Sequence, residues 1–150
     1  LPKVLCAEVR LPDPASADKE LRNLREENPG LVIQLLAMKK RPNTRAVEMV
    51  AAQTLRARET GAMIAAKPEV DLLLRLAGTA QISQAIEKSG YKAEGRRFLV
   101  AAGLDEGIDR LEKSLSGGAR ADRYSLLPED ELDADGAAMV ERAALLGTRN

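Results

Sequence analysis

The chain has 150 residues, the length of one ordinary domain, and no composition break divides it. Lys plus Arg number 23 and Asp plus Glu 23, a formal net charge of zero, which excludes a globally basic nucleic-acid binder and a strongly acidic tail protein. Any charge-driven binding must be local. With 45% hydrophobic residues, a chain of this length buries roughly two thirds of its unfolded surface and folds without staples.

Val4 to Leu11 reads as a strand, apolar and β-branched ahead of Pro12 and Pro14, which end ladder pairing and open a helix. That helix, Ala15 to about Asn28, has one narrow apolar stripe at Leu21 and Leu24 and stops at Asn28-Pro29-Gly30. Leu31 to Ala37 is apolar on both alternating faces and reads as a central strand covered on two sides. Thr44 is placed to cap a helix running to about Thr60, with Val47, Val50, Ala51 and Leu55 on its buried face and Gly61 at its end. Asp71 to Ala77, with Leu72, Leu73, Leu74 and Leu76, suits a helix or a buried strand; its shortness and the following Gly78 favour the strand. Thr79 then caps a helix from Ala80 to Ser89 with Ile82, Ala85 and Ile86 on one face. Arg97 to Ala102 reads as another two-sided strand, and Asp105 opens a helix with a stripe at Ile108, Leu111 and Leu115, ending before a Gly117-Gly118 loop. A strand at Tyr124 to Leu127, an acidic run from Glu129 to Asp135, and a helix from Gly136 to about Leu146 complete the chain. This alternation predicts one α/β domain, a mixed sheet of about four or five strands covered by helices.

The missing residue types restrict the chemistry. With no His, neither a Ser-His-Asp nor a Cys-His site can be built, and the commonest metal ligand is absent. Cys6, the single cysteine, sits in an apolar alternating run and reads as a small buried hydrophobe, and a reducing compartment is compatible with it. Tyr91, Phe98 and Tyr124 are too few aromatics for a base-stacking platform. The longest near-apolar run, Leu31 to Met38, falls far short of the roughly 20 residues of a spanning helix, and no secretory leader pattern is visible. The densest carboxylate cluster, Glu129, Asp130, Glu131, Asp133 and Asp135, lacks the pattern of a calcium loop and reads as a solvated charge run. Neither Ser116-Gly117-Gly118-Ala119-Arg120 nor Gly103 to Gly107 matches a phosphate-cradling or dinucleotide fingerprint. No metal, cofactor or catalytic residue is therefore expected. Two basic stretches remain, Lys39, Lys40, Arg41 and Arg45, and Lys88, Lys92, Arg96 and Arg97. With the Gly78-Thr79 step into a helix, whose free amides attract anions, they point to contact with a nucleic-acid end or backbone.

The segment Asp71-Leu72-Leu73-Leu74-Arg75-Leu76-Ala77-Gly78-Thr79-Ala80-Gln81-Ile82-Ser83-Gln84-Ala85-Ile86-Glu87-Lys88-Ser89-Gly90-Tyr91-Lys92 resembles the strand-turn-helix segment of the PRPK-binding protein family. That family is the small kinase-associated subunit of the KEOPS complex, and the likeness is to its archaeal members in particular. Gln34 to Met38, Thr44 to Gly61, Arg96 to Ala102, Tyr124 to Pro128 and Val140 to Leu146 resemble its other elements in order and spacing. The chain departs from the family at Ala80, where Arg is common before the Gln-Ile pair, and near Arg45, where a His is common. The resemblance implies a non-catalytic, cytoplasmic accessory protein that binds a PRPK-like atypical kinase and, through the other KEOPS subunits, supports threonylcarbamoyl-adenosine modification of tRNA. It further implies a grip on the tRNA 3′ CCA end. The residues expected to dock the kinase are Met139, Val140, Ala143 and Leu146; those expected to contact RNA are Lys39, Lys40 and Arg45, with Thr79, Gln81, Lys88 and Lys92 as a helix-end group. The alternative is a small-molecule enzyme using carboxylates in a cleft.

Overall fold

Strand β1 (Pro2–Val9) buries Leu5, Ala7 and Val9, the period of two that sends alternate side chains to one side of a sheet. It is followed by α1 (Pro14–Glu27), β2 (Val32–Met38), α2 (Thr44–Thr60), α3 (Pro68–Ala77), α4 (Ile82–Ser89), β3 (Arg96–Leu104), α5 (Asp105–Leu115), a single 3-10 turn (Gly118–Arg120), β4 (Tyr124–Leu126) and α6 (Ala134–Thr148). This computed structural model describes residues 2–11 and 13–148. Pro12, expected to help end the first strand, lies outside them. Pro14 sits in the first turn of α1, behind an Asp13 cap that accepts from the Ser16 amide at 2.7 Å.

The strands form one sheet in the order β2-β3-β1-β4, and every pairing is antiparallel. Helix α1 connects β1 to β2 across the intervening β3, and α5 connects β3 to β4 across β1. These are two interlocked split β-α-β units. Helices α2, α3 and α4 are inserted into the β2-to-β3 connection. The α/β layer expected from the sequence is present, and both faces of its sheet are covered. Leu5, Ala7, Ile33, Leu35, Leu99 and Ala101 meet α1 and α5 on one side; Val32, Leu36, Val100 and Ala102 face α2 and α3 on the other, and α6 packs on those two helices. Central β3 pairs on both edges and is buried continuously from Phe98 to Ala102. The two-sided reading of Leu31–Ala37 and Arg97–Ala102 thus matches the structure.

The strand expected at Asp71–Ala77 is instead helix α3, which begins at Pro68. Pro68 presets the first turn, Glu69 and Asp71 sit favourably near the helix N-terminus, and Gly78 (φ 76) ends it in the left-handed region. Every residue from Asp71 to Ala77 is buried. Asp71 and Arg75 fall one turn apart and Val70, Leu73, Leu74 and Ala77 keep helical spacing, but Leu72 and Leu76 fill the remaining face, so the continuous apolar run fits a two-sided strand as well. Two caps also shift by a residue or two. Asn43, not Thr44, caps α2 through a 2.9 Å bond from the Ala46 amide, and α4 starts at Ile82 rather than Ala80.

Between the helices of the second layer lies a buried ion pair. Arg75 Nε donates to Asp71 Oδ1 at 2.7 Å, and Asp71 also accepts from Thr54 Oγ1 (2.6 Å) and from the Ile64 amide (2.9 Å). The Arg75 guanidinium reaches on to Gln53 Oε1 and to the Ala143 carbonyl, both at 3.3 Å. One charge pair therefore ties α2, α3 and α6 together, with each buried lone pair given a donor.

Candidate nucleic-acid interface

The turn between α3 and α4 is built around Gly78. Its amide and that of Thr79 both donate to the Leu74 carbonyl, at 2.9 and 3.2 Å, a C-terminal closure that needs positive φ at the glycine. Thr79 Oγ1 accepts from the Gln81 amide (3.2 Å) and donates to Gln84 Oε1 (3.0 Å). Gln81 itself makes no side-chain cap. Lys88 reaches back across the turn, and its ammonium donates to the Ala77 carbonyl at 3.0 Å, where the negative end of α3 favours a cation. Lys39, just past the end of β2, faces the same space. Together Lys39, Gly78, Thr79, Gln84 and Lys88 line an open cleft of about 690 Å³, with Glu87 and Glu94 also in its walls.

Three of the seven residues expected to contact RNA, Lys39, Thr79 and Lys88, are thus brought together. The others are not. Lys40 is exposed beside Lys39, and Gln81 is exposed at the start of α4, its amide used by Thr79. Arg45 pairs with Glu48 at 3.0 Å one turn along α2 and lines a separate depression with Lys3 and Met49. The Lys92 ammonium lies 5.9 Å from the centre of the Tyr91 ring, in a different cavity. Arg41 and Arg96 are neutralised, by Asp130 at 2.9 Å and Glu8 at 2.7 Å. Arg142 of α6 was missed by the sequence reading: its Nε lies 3.4 Å from where a side chain on Gly78 would begin. Nothing in the local pattern could have placed it there, because the approach of α6 to the turn is a tertiary event.

The stripe expected to dock a kinase faces inward. Ala143 is 0% and Leu146 7% exposed, and half-buried Met139 and Val140 pack on the same core. Gln53 Nε2 also bonds the Val140 carbonyl at 3.2 Å, holding this side of α6 to α2. A stripe at helical spacing on the last helix finds an apolar layer waiting for it, and intramolecular burial wins. The outward residues of α6 include Ala137, Ala138, Glu141, Arg142, Ala144 and Leu145, the last 50% exposed. Ile82 and Ile86 of α4, at 49% and 53%, are likewise outward although Ala85 between them is buried.

The acidic run is a strap rather than a freely solvated segment. Asp130 binds Arg41 through both carboxylate oxygens and accepts from the Thr44 amide at 2.8 Å, while the Asp130 amide donates to Thr44 Oγ1 at 2.9 Å. The Arg41 guanidinium, with the helix amide behind it, pulls the Asp130 carboxyl down to about 2. Glu8, Asp13 and Glu27 are also moved below the usual carboxylate range, by Arg96, the Ser16 amide and Arg120 respectively. That direction is opposite to the one a general acid needs. Burial pushes the Cys6 thiol up to about 12, so the reactive thiolate is scarce at neutral pH. Among the described residues no group of three or more metal-ligating side chains converges, and no helix is long and apolar enough to cross a membrane.

The chain was also compared with known proteins. No family model matches it, and no curated protein matches it.

Proposed function

We propose that this chain is a non-catalytic accessory subunit that grips RNA at the α3–α4 turn, as a small kinase-associated KEOPS subunit supporting threonylcarbamoyl-adenosine modification of tRNA. One observation carries the reading: Lys39 and Lys88 line an open cleft with the Thr79–Gln84 pair, and Arg142 of α6 approaches Gly78 in its wall. Ammonium and guanidinium groups suit phosphate, and a hydroxyl and an amide suit a 2′-OH or the edge of an unpaired base. Glu87 and Glu94 keep the field local, which fits a short single-stranded end better than a long duplex. The PRPK-like kinase is the protein partner the resemblance names, and with Ala143 and Leu146 buried the surface of α6 left for it centres on Leu145.

Binding of tRNA, measured against salt, tests the RNA arm. Lys39→Ala and Lys88→Ala should each weaken binding and flatten the log–log salt dependence by about 0.7 for a single-stranded contact. Trimming the terminal CCA should weaken it further, and Ala80→Arg, on an exposed position beside the cleft, should tighten it. Salt-independent binding, or equal affinity for trimmed tRNA, would overturn this arm. Co-purification with the kinase, repeated with Leu145→Asp, tests the other. Purified chain that turned over a metabolite unaided would favour the carboxylate enzyme instead.

A further inference from the structure

On the far side of α4 a second, half-open cavity, of about 360 Å³, is bordered by α1, α3, α4 and the outer edge of β2. Its walls are mainly apolar: Leu21, Leu35, Val70, Leu73, Ile86 and the Tyr91 ring. The strand edge inside it cannot receive another strand. The Ile33 carbonyl accepts from Arg25 at 3.1 and 2.9 Å, the Leu35 amide donates to Gln34 Oε1 at 3.0 Å, and Gln34 Nε2 is bonded to the Glu69 carbonyl at 2.8 Å. With its main-chain groups spoken for, the cavity must hold any occupant by side chains.

Those side chains carry an unbalanced charge. Arg25, Lys67 and Lys92 line the cavity and form no ion pair among the described residues. Of the two carboxylates there, Asp18 is engaged by Arg22 at 3.2 Å and by the Tyr91 hydroxyl at 2.9 Å, which leaves Glu69. Half-buried Arg25 hydrogen-bonds only to carbonyl and amide oxygens; Glu69 and Asp18 act on its charge through space but form no ion pair with it, and burial is the largest influence on it. Volume, apolar walls and a few convergent polar groups are the ordinary attributes of a small-molecule site.

We propose that this cavity binds a small amphipathic carboxylate, with an apolar ring or short acyl body against Leu73, Ile86 and Tyr91 and the acid at Arg25, Lys67 and Lys92. The site is separate from the α3–α4 cleft and does not depend on the RNA reading. The test is an amide NMR titration of the full chain with 2-naphthoate, with 2-naphthalenemethanol as the uncharged counterpart. Shifts should cluster at Leu35, Leu73, Ile86 and Tyr91, with the alcohol at least tenfold weaker. Lys67→Glu and Lys92→Glu, both at exposed positions, should each weaken the acid several-fold and leave the alcohol unchanged. Ile86→Asp should abolish binding of both. No shift at millimolar acid, equal affinity for acid and alcohol, or indifference to both lysine variants would overturn the proposal. So would a concentration-dependent dimer broken by Ile86→Asp, because a second copy would then be the occupant. Lys39→Ala and Lys88→Ala should leave the titration as it is, which separates its outcome from that of tRNA binding.

Discussion

Asp71 and Arg75 sit where charge is most expensive, at 0% and 4% side-chain exposure, and are tolerable because the pair is hydrogen-bonded from α2, α3 and α6. Breaking one half leaves the other uncompensated. Asp71→Asn should therefore cost about 3 kcal/mol or more, read as the loss of unfolding free energy in urea; a change under about 1 kcal/mol would mean that the neutral amide serves Arg75 as well. Asp130 behaves differently because it is at the surface. Its folded value, about 2, is below the roughly 3.9 of an unfolded Asp, so the fold favours the carboxylate. The stabilisation is fully present above about pH 5 and is lost as pH falls toward 2. Accordingly the melting-temperature gap between the wild type and Asp130→Asn should be widest near neutrality and close on acidification. A gap that stayed constant down to pH 2 would show that Arg41 and Thr44 do not hold the ionised form.

Among the helices, α5 with its wet side was legible in the sequence and the fully buried α3 was not, whereas the two-sided strands β2 and β3 were legible from apolar runs too short for a helix. Helix α5 shows its stripe at Ile108, Leu111 and Leu115, all buried as its spacing requires. Helix α3 has no wet side, and its run of leucines fits a buried strand as well as the helical spacing of Val70, Leu73, Leu74 and Ala77. Helix α6 was legible as a helix but not in its orientation, since the stripe at Ala143 and Leu146 is identical whether it meets a partner or its own core. The same ambiguity governs the candidate site: Thr79 and Lys88 are near in sequence, whereas Lys39 joins them only through the sheet, and Arg142 nears Gly78 only through the packing of α6. A pair of neighbouring variants tests the orientation. Leu146→Ala, opening a cavity in the second layer, should cost about 2–5 kcal/mol, and Leu145→Ala within about 0.5 kcal/mol. The reverse ranking in thermal denaturation would turn α6 around.

For the molecule as a whole, stability is concentrated along β3, which is paired on both edges and covered by helices on both faces. Hydrogen exchange should rank its Phe98–Ala102 amides slowest, near the global unfolding limit, and those of three-residue β4 among the fastest of the sheet. Comparable rates in the two strands would contradict a core centred on β3.

The treatment of the β2 border reaches beyond the native monomer. Main-chain groups that Arg25 and Gln34 have already engaged offer no template to an incoming chain, whereas at the opposite border β4 covers β1 only from Ala7 to Val9. Fibrils seeded from the folded state are thus disfavoured at the β2 margin. Aggregation through β2 should wait for global unfolding and follow its rate.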